Sequence, residues 1–216
     1  MTNTSIRAVL WDFGGVILSS PFEAFNRYEA AHGLPRDFLR SVNAINPLTN
    51  AWAKMERGEL DEAGFGAAFA VESAALGHAV DGRDLLPLLS GEVRPRMVAA
   101  LRTVKARYKI ACLTNNVKRG HGPGMASTPE RAAAIAGIMA LFDVVVESSK
   151  VGFRKPEPKF YEKACELLAI APDEAVFLDD LGINLKPAAA MGMRTIKVGD
   201  PAMALADLGA LLGLTL

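Results

Sequence analysis

The chain has 216 residues, enough for one large domain or for a core carrying a smaller inserted module. Half of the residues are hydrophobic and 22% are charged, the balance of a soluble globular protein. Its 24 Lys+Arg offset its 24 Asp+Glu, which excludes a net basic field for holding nucleic acid or an anionic membrane and leaves only a local basic site for a small anion.

In chain order, the first predicted strand is Ala8-Val-Leu-Trp11, an apolar run that Asp12 ends too early for a signal peptide. From residue 18 to 91 the pattern is helical, with amphipathic segments expected over 22–31, 36–44, 50–57 and 61–76 and no convincing strand. Gly58 closes one of these helices and Asp61 caps the next. Trp52 and the Phe65/Phe69 pair, four apart on a helix, read as the core of this segment, with the lining of a substrate pocket as the alternative.

Beyond residue 92 strands and helices alternate. A helix over 96–108 leads to the strand Ile110-Ala-Cys-Leu113, which ends in Thr114-Asn115-Asn116. A Gly- and Pro-rich surface loop over 120–129 precedes Val144-Val-Val146, which ends in Glu147-Ser148-Ser149. A helix opened by Pro156 runs to 168, and Ala175-Val-Phe-Leu178 ends in Asp179-Asp180. A helix over 185–191, closed by Gly192, leads to a last strand at 195–198. Continuous apolar runs of this length suit strands buried on both faces. The expected fold is therefore α/β, a doubly wound (Rossmann-like), mostly parallel sheet. Residues 1–17 and 92–216 form the core domain, and 18–91 an inserted all-helical cap.

Other readings follow from composition. The longest apolar run, 132–142, falls short of the ~20 residues a membrane span needs. Cys112 and Cys165 lie far apart in apolar segments and read as reduced, buried thiols, so a cytoplasmic location is expected. His32, His78 and His121 are scattered and read as surface or loop residues, and Trp11 as packing.

In such sheets ligands bind beyond the carboxyl ends of the strands, where the polar residues named above fall. Asp12, beside two glycines that permit a tight turn, can attack phosphorus, or can simply end a strand. Asp179 and Asp180 repel each other unless a cation or donors hold them, and with Asp12 they offer hard oxygen ligands suited to Mg²⁺. The alternative is an acidic pair at a helix start. Thr114 and Asn115 offer neutral donors to an anionic oxygen, or form a turn. Lys155, fixed in direction by Pro156, can neutralise a phosphoryl group and its attacking carboxylate, or can be an ordinary solvated lysine.

Together, Asp12 with Gly15-Val16, Thr114-Asn115, Lys155-Pro156 and Asp179-Asp180 resemble the four motifs of the haloacid dehalogenase superfamily. Segments 147–161 and 176–187 resemble the phosphatase domains that precede soluble epoxide hydrolase and some acyl-CoA dehydrogenases. The resemblance implies a Mg²⁺-dependent hydrolase with Asp12 as nucleophile and metal ligand. The Gly14 carbonyl and Asp180 would be further ligands, with Asp179 acting through a water. Thr114 and Asn115 would bind the phosphoryl oxygens, Lys155 would bridge phosphate and Asp12, and Asn184 would brace the acidic pair. The cap would exclude water and choose a small phosphorylated substrate; the oligomeric state stays open.

One position departs from that pattern. Phosphatases of this superfamily usually carry a second aspartate two residues after the nucleophile, as the acid for the leaving group, and here that residue is Gly14. General acid–base help is worth roughly 10²–10⁴-fold. Three readings compete: a phosphatase that obtains its proton elsewhere, a phospho-ligand binding protein with little turnover, and a 2-haloacid dehalogenase. The last needs no acid, but usually has an aromatic residue where Gly14 stands and an arginine for the substrate carboxylate. Arg27, Arg36 and Arg40 are its candidates.

Overall fold

The computed structural model describes residues 5–118, 125–126 and 128–216. His121 and most of the expected 120–129 loop lie outside the described residues. Five strands, β1 (Ala8–Trp11), β2 (Lys109–Thr114), β3 (Val144–Glu147), β4 (Ala175–Asp179) and β5 (Arg194–Lys197), form one sheet in the order β3-β2-β1-β4-β5. Every pairing is parallel. The period-two alternation of side chains divides each central strand between two cores. Val9 and Trp11, Ile110 and Cys112, and Val176 and Leu178 pack to one face. Leu10, Leu113 and Phe177 pack to the other.

The first face is covered by α5 (Pro95–Lys105), α6 (Pro129–Met139) and α10 (Pro201–Leu212), through Leu101, Ile135 and Leu208 among others. The second is covered by α8 (Pro158–Leu168) and α9 (Gly182–Ala190), through Phe160, Tyr161 and Leu185. Helices on both faces make the sheet doubly wound. The direction of winding reverses around β1 and β4, so the ends of these two neighbours define the crevice where a ligand is expected. Between β3 and α8 lies the short α7 (Ser148–Val151).

Between β1 and α5 come α1 (Phe22–Ala31), α2 (Phe38–Ala44), α3 (Ala51–Glu56), α4 (Glu62–Ala74) and a 3₁₀ stretch, Gly82–Leu89. They share a separate hydrophobic cluster in which Trp52 meets Phe65 edge-on at 4.7 Å, with Phe69 beside it. Asp61 caps α4 by accepting from Gly64 N at 2.7 Å, and Gly58 ends the α3 turn at φ +75°. Among the described residues no helix is long and apolar enough to cross a membrane.

Three sequence expectations change. Pro156 does not open a helix: α8 starts at Pro158, and the Lys155–Pro156 bond is cis. Pro158 holds Glu157 at φ −67°, ψ 128°, outside the helical region, so the helix cannot begin earlier. The expected helix at 36–44 begins at Phe38, because Asp37 sits in the left-handed region at φ 59°. The helices α6 and α10 were not predicted; alanine-rich and apolar on most sides, they lack the contrast between faces that marks an amphipathic helix.

Candidate active site

Asp12 leaves β1 directly into a tight turn over Phe13–Ile17. Its Oδ1 accepts from Phe13 N at 2.6 Å and faces Lys155 Nζ at 2.7 Å. The same Nζ lies 2.7 Å from Asp179 Oδ2, so one buried ammonium bridges the ends of β1 and β4. Burial works against the lysine's charge, but Asp12 and Asp179 outweigh it and hold its pKa above the ordinary lysine value. The opposite balance holds at Asp12. Burial, with Asp179 and Asp180 adding, pushes its carboxyl well above the usual range against the pull of Lys155.

Asp179 has its acceptors filled. Leu181 N donates to Oδ1 at 2.8 Å, and Asn184 Nδ2 lies 3.0 and 3.1 Å from the two oxygens. Asn184 is itself held by Tyr161, whose hydroxyl donates to its carbonyl at 2.7 Å. Asp180 is different, since Ser20 Oγ donates to its Oδ2 at 3.3 Å. Burial first, then the Asp179 charge, push Asp180 up to about 6. Oxygens of Asp12, Asp179 and Asp180 all lie within 4.8 Å of one another. Such a cluster of hard donors, with Asp12 and Asp180 both driven towards their neutral forms, fits a divalent cation that would relieve the crowding.

Gly15 makes this approach possible. Its φ is +83°, and a Cβ there would lie 2.3 Å from Asp180 Oδ2. At Gly14 the backbone is ordinary (φ −72°, ψ 129°), and a Cβ would meet nothing within 4 Å. Gly15→Ala should therefore cost about 1–2 kcal/mol for the left-handed backbone alone and displace Asp180 as well. Gly14→Ala should be close to neutral. Denaturant melts of the two variants check this, and equal stabilities would contradict the geometry.

Thr114, buried at the end of β2, lines the same cavity, its hydroxyl a loose 3.5 Å from Asn115 O. Asn115 is placed otherwise than expected. Its Nδ2 donates to Lys155 O and to Glu56 Oε2, both at 3.0 Å, and its Oδ1 accepts from Lys155 N at 2.9 Å. The side chain thus brackets the lysine's backbone instead of standing free for a phosphoryl oxygen. The polar end of β3 is also spent internally. Glu147 and Ser149 hold the Asn116 amide at 2.8 and 2.9 Å, and Ser148 Oγ accepts from Asn116 N at 3.0 Å.

The cavity over these residues has a volume of about 440 Å³. Its floor carries Asp12, Gly14, Thr114, Lys155 and Asp180, and its upper wall is largely apolar, with Leu18, Phe22, Phe25, Trp52, Leu89 and Met125. Of the three candidate arginines only Arg40 lines it, with its guanidinium 3.9 Å above the Phe22 ring. Sequence reasoning did not find Ser20, Glu56 or Arg154; the first two lie in the stretch read only for helical periodicity. Outside the site, Cys112 and Cys165 are buried and unpaired, and burial pushes the Cys165 thiol up to about 11. His32 and His78 are exposed.

With this geometry established, comparison with known proteins places the chain. The family model for haloacid dehalogenase-like hydrolases matches residues 6–192. The chain is 32% identical over 98% of its length to mouse acyl-CoA dehydrogenase family member 10, of which it covers 20%. It is 30% identical over 97% of its length to mouse bifunctional epoxide hydrolase 2, of which it covers 39%. It thus spans well under half of either relative. It is also 28% identical to phosphatase MT3486 of Mycobacterium tuberculosis (strain CDC 1551 / Oshkosh), over 90% of this chain and 88% of that one. Two solved structures share the fold. One is a HAD family enzyme from Bacteroides thetaiotaomicron in complex with magnesium and inorganic phosphate (TM-score 0.58, 19% identity, 91% and 96% of the two chains). The other is an L-2-haloacid dehalogenase from Xanthobacter autotrophicus (TM-score 0.61, 22% identity, 98% and 85% of the two chains). On the family match across most of its length, this chain belongs to the haloacid dehalogenase-like hydrolases.

Proposed function

We propose that this hydrolase is a Mg²⁺-dependent phosphatase acting on small phosphomonoesters with an apolar body, its substrate shielded by a cap formed by residues 18–91. The observation that carries the reading is the Lys155 ammonium held between Asp12 and Asp179 at the floor of a cavity that Asp180 also lines. Among the described residues, the two contacts to the Asp12 side chain, from Phe13 N and Lys155 Nζ, both fall on Oδ1, which leaves Oδ2 for attack on phosphorus. The new bond from Oδ2 to phosphorus forms as the ester oxygen leaves, giving an aspartyl-phosphate. Water then attacks that phosphorus, releases inorganic phosphate and restores the carboxylate. Lys155 and the Thr114 hydroxyl take the phosphoryl oxygens, and Asn115 fixes the lysine. Asp12, Asp180 and the Gly14 carbonyl would hold Mg²⁺, with Asp179, already saturated by donors, acting through a water. The bound ion would supply charge neutralisation at the phosphoryl group. The apolar upper wall favours an apolar body on the ester. The two buried free thiols suit a reducing compartment, and we propose a cytoplasmic site of action.

The test is phosphate release from an aryl and an alkyl phosphate, with Mg²⁺ and with chelator. Chelator-sensitive turnover that favours the aryl ester supports the reading, because a good leaving group needs no acid at Gly14. Arg40 at the cavity wall favours a second reading, a haloacid substrate held by its carboxylate. Chelator-insensitive chloride release from 2-chloropropionate would select it. Phosphate affinity without product would leave a binding protein.

Metal binding should depend on pH with a defined sign. Asp180 titrates at about 6 in the metal-free protein, above its unfolded value of roughly 3.9. A raised carboxyl contributes stability that is present below the unfolded value and lost as pH rises through about 6. Mg²⁺ needs the ionised form and reverses that loss. The ion should therefore raise Tm at about pH 7.5 and have little effect at about pH 5. Thermal melts with and without Mg²⁺ at both values check this; an equal shift at both would remove Asp180 from the ligand set.

A further inference from the structure

The chain order at the cap–core contact is reciprocal in charge. Cap residues Glu56 and Arg57, at the end of α3, face core residues Arg154 and Glu157. Glu56 Oε2 takes Arg154 Nε, and Arg57 Nη1 lies 3.4 Å from Glu157 Oε1. The two residues between Arg154 and Glu157 are Lys155 and Pro156, so both prongs grip the segment that carries the bridging lysine. Each guanidinium also ties the loop before α3. Arg154 Nη1 donates to Pro47 O and Arg57 Nη1 to Leu48 O, both at 3.0 Å. Glu56 reaches further, accepting from Asn115 Nδ2 at 3.0 Å. Asn115 in turn brackets Lys155 through its backbone N and O. The Glu56–Arg154 pair is covered, its side chains 16 and 14% exposed. The second pair is looser: Arg57 is 14% and Glu157 30% exposed, and Arg57 Nε also pairs with Glu59 at 2.5 Å.

We propose that Glu56 with Arg154, and Arg57 with Glu157, form a two-pronged charge clasp through which closure of the cap positions Lys155. Glu56 and Arg154 are positioning residues: they act on the reacting groups through Asn115 and the backbone of Lys155. A covered pair of this kind acts as a unit, so breaking either side releases the cap and removing the second partner adds nothing. The link to turnover rests on the phosphatase reading, whereas the clasp itself does not require it.

The experiment is a double-mutant cycle of Glu56→Ala, Arg154→Ala and the pair, read by amide hydrogen exchange and by kinetics on an aryl phosphate with Mg²⁺. Exchange over 45–57 is expected to speed up about tenfold in each single variant, with β1, β2 and β4 unchanged and the double variant no faster. Turnover is expected to fall about tenfold, carried by kcat more than KM, again with the double variant no worse than the poorer single. Unchanged exchange over 45–57, faster exchange in the core strands, or effects that multiply in the double variant would each overturn the clasp. If exchange follows the cycle and kcat does not move, the coupling to Lys155 is overturned. If the natural chain releases no phosphate from any ester, the phosphatase reading fails while the exchange results still decide the clasp.

Discussion

Asp12→Asn is expected to abolish phosphate release, lowering kcat by about 10⁴-fold or more, while the protein keeps its fold. An amide cannot form the acyl-phosphate bond, and the neighbouring groups are otherwise engaged: Lys155 is charged and paired, Asp179 is filled by donors, and Asp180 is the carboxylate that would be bound to Mg²⁺. The fold should survive because asparagine Oδ1 can still accept from Phe13 N. Burial and two neighbouring carboxylates already penalise the ionised Asp12, so a neutral group relieves that crowding in the metal-free protein. It also removes one of the two carboxylates facing Lys155, and Asp179 must then balance the ammonium alone. These effects oppose each other, and Tm is expected to stay within a few degrees of the natural chain. Single-turnover assays with denaturation melts check both halves. Retained activity would move the nucleophile elsewhere, and collapse of the fold would make Asp12 chiefly structural.

The centre of the sheet was legible because β1, β2 and β4 are buried on both faces and therefore read as unbroken apolar runs, each stopped by a polar residue, whereas the edge strand β5 is half exposed and carries polar residues within it. That stop also located Asp12, Thr114 and Asp179 at one rim, since parallel strands place their carboxyl ends together. What the sequence hid was local or relational. The helices α6 and α10 carry little amphipathic contrast, but both open on a capping residue followed by proline, Thr128-Pro129 and Asp200-Pro201, which was the usable signal. The start of α8 was written in Pro158, which restrains the residue before it. The partners of Asn115 could not be read at all. Its bonds to Lys155 and Glu56 join residues 40 and 59 positions away, and no spacing rule connects a cap helix to a loop beyond β2. The same holds for Ser20 on Asp180, across 160 residues.

The glycine two residues after Asp12 offers a gain-of-function test. Gly14→Asp is expected to raise kcat on an alkyl phosphate by about 10²-fold, and much less on an aryl phosphate. The position accepts the change: φ −72° and ψ 129° are open to any residue, a Cβ meets nothing within 4 Å, and the residue lines the cavity beside Asp12. The electrostatics favour the required protonation state. A fourth carboxyl beside Asp12, Asp179 and Asp180 is pushed up by their charge, so more of it carries a proton near neutrality than a free aspartate would. That proton can go to the leaving alkoxide, and the resulting carboxylate can then take one from the attacking water. The gain should have a high-pH limb absent from the natural chain, falling as the new acid ionises. A pH profile of kcat on both esters decides it. A selective gain on the alkyl ester with that limb identifies the missing acid as what limits the natural chain. Equal rates on both esters before and after substitution would mean that the leaving group is already protonated by another route.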